Sequence, residues 1–407
     1  MHTDPAAAGF SPDRLNRITN HLNTNYIDTG KIVGCQVLVS RYGTPAYFQS
    51  FGCADRERST PMADDTIFRI YSMSKPITSI ALMSLYERGL FQLNDPVSRA
   101  IPEWKSHEVW VSGDGDSMET RPPKQPMTFR HVLSHTGGLT YGGGLFPSAH
   151  PVDKAYQAQG VRRGKDETLS DFVRKLANVP LRYEPGQNWM YSLSTDVCGA
   201  LVEILSGQPF DVFLEENIFT PLGMKDTSFW VAPEKANRLA ANYQRGADKQ
   251  LKLIDDPQTS TYLEKPAFLS GGGGLTSTTA DYYRFCEMLR RGGELDGVRI
   301  IGSRTLELMT RNHLKDDGDL ASMAIGAFSE TAYEGVGFGL GFASTLDEVK
   351  AGSLGAGDFY WGGAASTIFW VDPIEDLVCI FMTQLMPSST FNFRGQLKQI
   401  IYSAIED

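Results

Sequence analysis

Arg69-Ile70-Tyr71-Ser72-Met73-Ser74-Lys75-Pro76-Ile77-Thr78 joins a strand pattern to a helical one. Ile67 to Ile70 is a short β segment, and from Ser72 to Arg88 the pattern turns helical. Ile77, Ile80, Ala81 and Leu85 recur at helical spacing, and Gly89 offers a C-cap. Proline is tolerated only in the first turn of a helix, so Pro76 places the helix start close to Ser72. Ser72 and Lys75 then stand at i and i+3 on one face, where hydroxyl and ammonium can touch.

Outward from this junction, Ile32 to Val39 and Ala46 to Gly52 are β-rich runs separated by Tyr42-Gly43-Thr44-Pro45, which reads as a hairpin. Ser366 to Val371 and Leu377 to Gln384 flank a turn containing Asp372-Pro373 and make another hairpin. Phe393 to Ile405 closes the chain as a helix. Between residues 96 and 260 the pattern is helices and long loops, with Leu169 to Ala177 and Asp196 to Leu205 the clearest helices. Strands at both ends with helices between predict an α/β domain built from 1–95 and 261–407. A mainly helical domain, 96–260, is inserted in it.

The chemistry of Ser72-Met73-Ser74-Lys75, the only S-x-x-K in the chain, follows from its spacing. A serine hydroxyl is a weak nucleophile until a base takes its proton. Lysine can be that base where burial favours its neutral form. The start of a helix also presents N–H groups and a positive dipole end to developing negative charge. Tyr191 follows a Pro185-Gly186 turn in an aromatic-rich loop and is a second candidate proton shuttle. Trp361-Gly362-Gly363-Ala364 precedes a strand, and its two glycines would let a substrate approach the backbone closely.

Composition narrows the partners. The 38 basic residues against 48 acidic give a net charge of −10, which disfavours nucleic acid and anionic membrane surfaces. No run of about 18 apolar residues suggests a transmembrane helix, and the first residues do not read as a secretory signal. Cys35, Cys53, Cys198, Cys286 and Cys379 are odd in number and scattered, as expected of reduced thiols in a cytoplasmic protein. His131 and His135 have an i, i+4 spacing that could suit zinc. No glutamate follows His131 and no third ligand is evident, so structural roles are expected and no metal. Gly271 to Gly274 lacks the Gly-Lys-Ser/Thr of a phosphate loop. It reads as a turn into a helix that Thr278 and Asp281 would cap.

In order and context these segments resemble the serine β-lactamase and penicillin-binding superfamily, and within it the class C β-lactamases and their esterase branch, the family VIII carboxylesterases. Arg69 to Thr78 looks like the nucleophile segment. Leu133-Ser134-His135-Thr136-Gly137-Gly138-Leu139 resembles the H-T-x-G-L stretch. Tyr191-Ser192-Leu193 stands where the family has Tyr-x-Asn, and Trp361-Gly362-Gly363 where β-lactamases have Lys-Thr-Gly. Phe219 to Met224 and Ser270 to Leu275 are further family-like segments. The resemblance implies an α/β (α+β) two-domain β-lactamase-like fold, an antiparallel sheet flanked by helices. It implies that Ser72 is acylated, that Lys75 and Tyr191 are the acid/base pair, and that the N–H groups of Ser72 and Ala364 form the oxyanion hole. Tyr141, Trp361, Gly362 and Gly363 are the candidate substrate-binding residues. No metal or organic cofactor is implied. Leu193 and Trp361 replace an amide and a cation of the β-lactamases, which points to a carboxylesterase acting on a small-molecule ester. A β-lactamase, an amidase, a peptidase on D-amino acid substrates or an acyltransferase would share the machinery. A catalytically idle binding protein would not require Ser72, Lys75 and Tyr191 together.

Overall fold

The computed structural model describes residues 1–143, 148–161, 166–325 and 333–406. The N-terminal hairpin is β1 (Gly34–Arg41) and β2 (Thr44–Asp55). Its loop is shorter than the sequence suggests: only Tyr42 and Gly43, at φ 55° and 75°. Two residues at positive φ match the right-handed twist of paired strands, so pairing resumes at once with Thr44. A bulge between Val39 and Ser40 accommodates the offset.

Six further strands complete the sheet: β3 (Thr60–Pro61), β4 (Val336–Phe338), β5 (Ala343–Thr345), β6 (Phe359–Gly362), β7 (Ile368–Asp372) and β8 (Leu377–Thr383). The spatial order is β4-β5-β6-β7-β8-β1-β2-β3, with every pair antiparallel. β1 pairs with β8, from Cys35 opposite Thr383 to Arg41 opposite Leu377. The two chain ends are thereby joined at the centre of one sheet. Strand β7 begins two residues later than expected, because Ser366 adopts φ 65° in the preceding turn.

Register decides what each face carries. Phe381 points to one face and stacks 4.7 Å from Phe393 of the C-terminal helix Phe393–Tyr402. Phe369 points to the other and lies 5.2 Å from Tyr282 of the helix Thr279–Arg290. Thr278 caps that helix by accepting from the Asp281 N–H, as its sequence suggested. Trp361 pairs with Phe369 and shares its face, whereas Tyr360 and Gly362 face the C-terminal helix.

The region 96–260 contributes the helices Phe129–Leu133, Pro151–Ala158, Leu169–Leu176, Ser194–Ser206 and Phe210–Leu214. It also contains strands that hydrophobic periodicity missed. Val109–Ser112 pairs with Glu119–Arg121, and Asn242–Arg245 pairs with Leu251–Asp255 and, in parallel, with Leu385–Met386. These strands are short and half-exposed, so alternation had little to mark. Most buried apolar side chains of this region and of the sheet region pack into one contiguous core, and Ile67, Val231 and Leu239 form a small separate cluster. Among the described residues, no single helix is long and apolar enough to cross a membrane.

The β6–β7 turn is clamped onto the segment that leads to Ser72. The Gly363 N–H donates to the Thr367 carbonyl at 2.7 Å, and the Thr367 hydroxyl donates to the Ile70 carbonyl at 3.4 Å. A Cβ at Gly363 would overlap both the Ile70 carbonyl oxygen and the Thr367 hydroxyl. Gly363→Ala should therefore lower unfolding free energy by about 1–3 kcal/mol, the usual cost of overpacking. Chemical denaturation measures this, and an unchanged midpoint would contradict the close approach.

Candidate active site

Ser72 sits on a single 3₁₀ turn, Tyr71–Met73, that runs directly into the α-helix Ser74–Glu87. The short strand Phe68–Arg69, paired with Thr276–Ser277, feeds this turn. Tyr71, immediately before Ser72, adopts φ 42°, a left-handed conformation that costs a non-glycine residue on the order of 1–3 kcal/mol. Its phenol is held in place by accepting from Asn242 Nδ2 at 2.9 Å. The reversal places the serine at the mouth of the helix, and Gly89, at φ 76°, ends the helix as expected.

Lys75 Nζ donates to Ser72 Oγ at 3.1 Å and to the Gly272 carbonyl at 2.6 Å. Ser72 is 6% exposed and Lys75 1%. The amine lies 4.5 Å from the centre of the Tyr191 ring and 5.9 Å from that of Tyr141. Four rings surround Tyr191: His135, Tyr141, Trp361 and Trp189, with centroids 5.1 to 6.2 Å away. Ser72, Lys75, Tyr191, Tyr141 and Trp361, scattered between positions 72 and 361 of the sequence, thus converge. The Ser72 and Ala364 N–H groups have no backbone acceptor among the described residues. The Gly363–Ile70 clamp brings the residue before Ala364 against the backbone that enters the Ser72 turn.

Three expectations change in detail. Trp361 is buried at 1% exposure, and its indole N–H donates to Tyr191 Oη at 3.2 Å rather than standing open to a ligand. Gly362 faces away from Ser72: a Cβ there would stand 3.1 Å from Arg394 Nη2 beneath the sheet. Gly363 is needed for the Ile70 contact. The two glycines are thus explained by protein packed against protein. Arg69, close in sequence to Ser72, is fully buried and ion-paired with Asp255 at 2.7 Å.

The two histidines have separate uses. His131 Nδ1 accepts from the Thr128 N–H and closes a capping box on the helix Phe129–Leu133. His135 lies beyond that helix at φ 57° and hydrogen-bonds Ser192 Oγ at 3.1 Å. Burial, with the Lys75 charge beside it, holds His135 well below the ordinary histidine range, so it is neutral in the site. Among the described residues no group of three His, Cys, Asp or Glu is placed to hold a metal. Sequence reasoning missed Gly272, whose carbonyl accepts from Lys75, and Asp196, which accepts from the Gly272 N–H. The run Ser270 to Gly274 was their only signal, since four consecutive glycines mark a backbone that something approaches closely.

Comparison with known proteins points to one family. A family model described as Beta-lactamase matches residues 19–401. Esterase EstB of Burkholderia gladioli is 32% identical, over 87% of this chain and 86% of that protein. Acyltransferase calJ of Penicillium decumbens is 28% identical, over 81% and 78%. Among solved structures, EstCE1, described as a hydrolase with promiscuous acyltransferase activity, superposes with a TM-score of 0.79 at 28% identity, covering 96% of this chain and 99% of that one. The match to the family model spans nearly the whole sequence, and a buried serine–lysine pair opens a helix beside an antiparallel sheet: the chain belongs to the Beta-lactamase family.

Proposed function

We propose that the protein is a carboxylesterase-type serine hydrolase that cleaves small uncharged acyl esters through an acyl-enzyme on Ser72. The observation that carries this reading is the 3.1 Å contact between Lys75 Nζ and Ser72 Oγ in a buried site. With the amine neutral, the hydroxyl becomes the donor, and Lys75 takes its proton as Oγ attacks the ester carbonyl. The oxyanion that forms is received by the N–H groups of Ser72 and Ala364. Collapse breaks the carbon–oxygen bond to the alcohol, which leaves with a proton from Tyr191 or Lys75. Water then repeats the sequence on the acyl-enzyme, restoring Ser72 and releasing the acid. The Trp361 N–H stabilises negative charge on the Tyr191 oxygen while that phenol gives up its proton. No metal or organic cofactor enters the scheme. The five free cysteines support a cytoplasmic location, and the acidic balance supports a small-molecule partner.

An acyltransferase is the second reading, favoured by relatives described as acyltransferases. It keeps the same acyl-enzyme and differs in the acceptor, an alcohol in place of water.

Ser72→Ala should lower turnover of p-nitrophenyl butyrate by about 10⁴–10⁶, as for removal of an activated serine elsewhere. A variant that keeps more than a tenth of the wild-type rate would move the nucleophile to another residue.

Substrate preference follows from the missing cation. A hydrogen bond to a charged partner contributes about 1.5–3 kcal/mol. Trp361 brings no charge to the place of the β-lactamase lysine, and Arg69 is committed to Asp255. The kcat/KM for p-nitrophenyl butyrate should therefore exceed that for a chromogenic cephalosporin by at least about tenfold. A cephalosporin preference would make β-lactamase the better description.

A further inference from the structure

The glycine run Ser270 to Gly274 lies between Lys75 and a buried carboxylate. Gly272 uses both of its backbone groups. Its carbonyl accepts from Lys75 Nζ at 2.6 Å, and its N–H donates to Asp196 Oδ1 at 3.0 Å. Ser270 Oγ donates to the same carboxylate oxygen at 2.5 Å. Asp196 is fully buried in the first turn of the helix Ser194–Ser206, where two donors and the positive end of the helix suit an anion. That helix packs against the helix Ser74–Glu87, which carries Lys75.

A side chain is excluded at Gly271 and crowded at Gly272. A Cβ on Gly272 would stand 3.0 Å from Asp196 Oδ2, and one on Gly271 would stand 2.7 Å from the Thr195 carbonyl. The loop is fastened to the lysine helix by neutral contacts. Thr78 Oγ1 donates to the Gly271 carbonyl at 2.8 Å, and Ser74 Oγ accepts from the Leu275 N–H at 3.1 Å. On the opposite side it is fastened by the Asp196 carboxylate.

We infer that Asp196 is a positioning residue for Lys75: it fixes the Gly272 carbonyl that holds the amine, and its negative charge sets the pH at which that amine loses its proton. The inference rests on the reading of Lys75 as the base for Ser72. Facing Lys75 among the described residues are the Ser72 hydroxyl, the rings of Tyr191 and Tyr141, His135 and the loop held by Asp196, with other groups beside them. His135 is neutral, so among these groups Asp196 supplies the carboxylate. An opposite charge nearby stabilises an ammonium and delays its deprotonation. The N–H and C=O of Gly272 belong to adjacent peptide units joined at one α-carbon. Displacing the carboxylate therefore turns the carbonyl away from Nζ.

The test is the pH dependence of kcat and kcat/KM of the full chain on p-nitrophenyl butyrate, with the melting temperature of each variant. Wild type should lose activity toward acid as Lys75 is protonated. Asp196→Asn keeps an oxygen to accept from Gly272 and Ser270 and removes only the charge. Its acid limb should move to lower pH by at least about half a unit. A folded Asp196→Asn whose limb coincides with wild type, even with a reduced rate, leaves only a structural role and overturns the inference. Should that variant not fold, Gly272→Ala decides. Its methyl group crowds the carboxylate, and kcat should fall about tenfold or more with KM within about threefold. Unchanged kcat in a folded Gly272→Ala overturns the inference equally. Failure of the underlying reading looks different: full activity in Ser72→Ala, or no acid limb in wild type, removes Lys75 as the base whatever the variants do.

Discussion

A lysine buried at 1% exposure is the constraint on which the rest of the structure depends. Removing an ammonium from water costs several kcal/mol unless its donors are met. Lys75 meets that demand with the Ser72 hydroxyl, the Gly272 carbonyl and the face of the Tyr191 ring. Each of these comes from a different part of the chain. The hydroxyl belongs to the 3₁₀ turn that leads into the lysine's helix, the carbonyl to the glycine run beyond residue 269, and the ring to the loop that precedes a helix of the 96–260 region. The cost of burying one amine therefore ties three segments to a common point.

The sheet supplies the other half of the geometry. Because side chains alternate along a strand, pairing Trp361 with Phe369 fixes the indole on the side of Ser72 and Tyr191, and sends Gly362 toward Arg394. A slip of one residue would exchange those faces. The register is held by the pairing of β7 with β8 and of β8 with β1. The position of the tryptophan thus depends on strands from both ends of the chain. The Gly363 clamp then joins that strand to the backbone that enters the Ser72 turn.

Much of this was legible in sequence wherever a residue has few ways to be satisfied. Pro76 limited the start of the helix, S-x-x-K set the serine–lysine spacing, and β-rich apolar runs marked β1, β7 and β8. The short strands Val109–Ser112 and Glu119–Arg121 were not legible, because half-exposed segments of three or four residues leave little alternation to read. The roles of Gly362 and Gly363 were read as openings for a ligand, whereas what approaches them, Arg394 and the Ile70 carbonyl, comes from distant parts of the chain. Asp196 was hidden for a related reason. An aspartate in a first helical turn is ordinary, and only the tertiary approach of Gly272 distinguishes this one.

Under the proposed chemistry Ser72 is the one hydroxyl whose proton has a buried amine to receive it, so the central claim concerns where a covalent bond forms. A fluorophosphonate probe reacts with an activated serine and remains attached. Tandem mass spectrometry of the digested, labelled protein should find the phosphonyl group on Ser72, with labelling abolished in Ser72→Ala. A label on any other residue, or labelling of Ser72→Ala at the wild-type rate, would contradict the account.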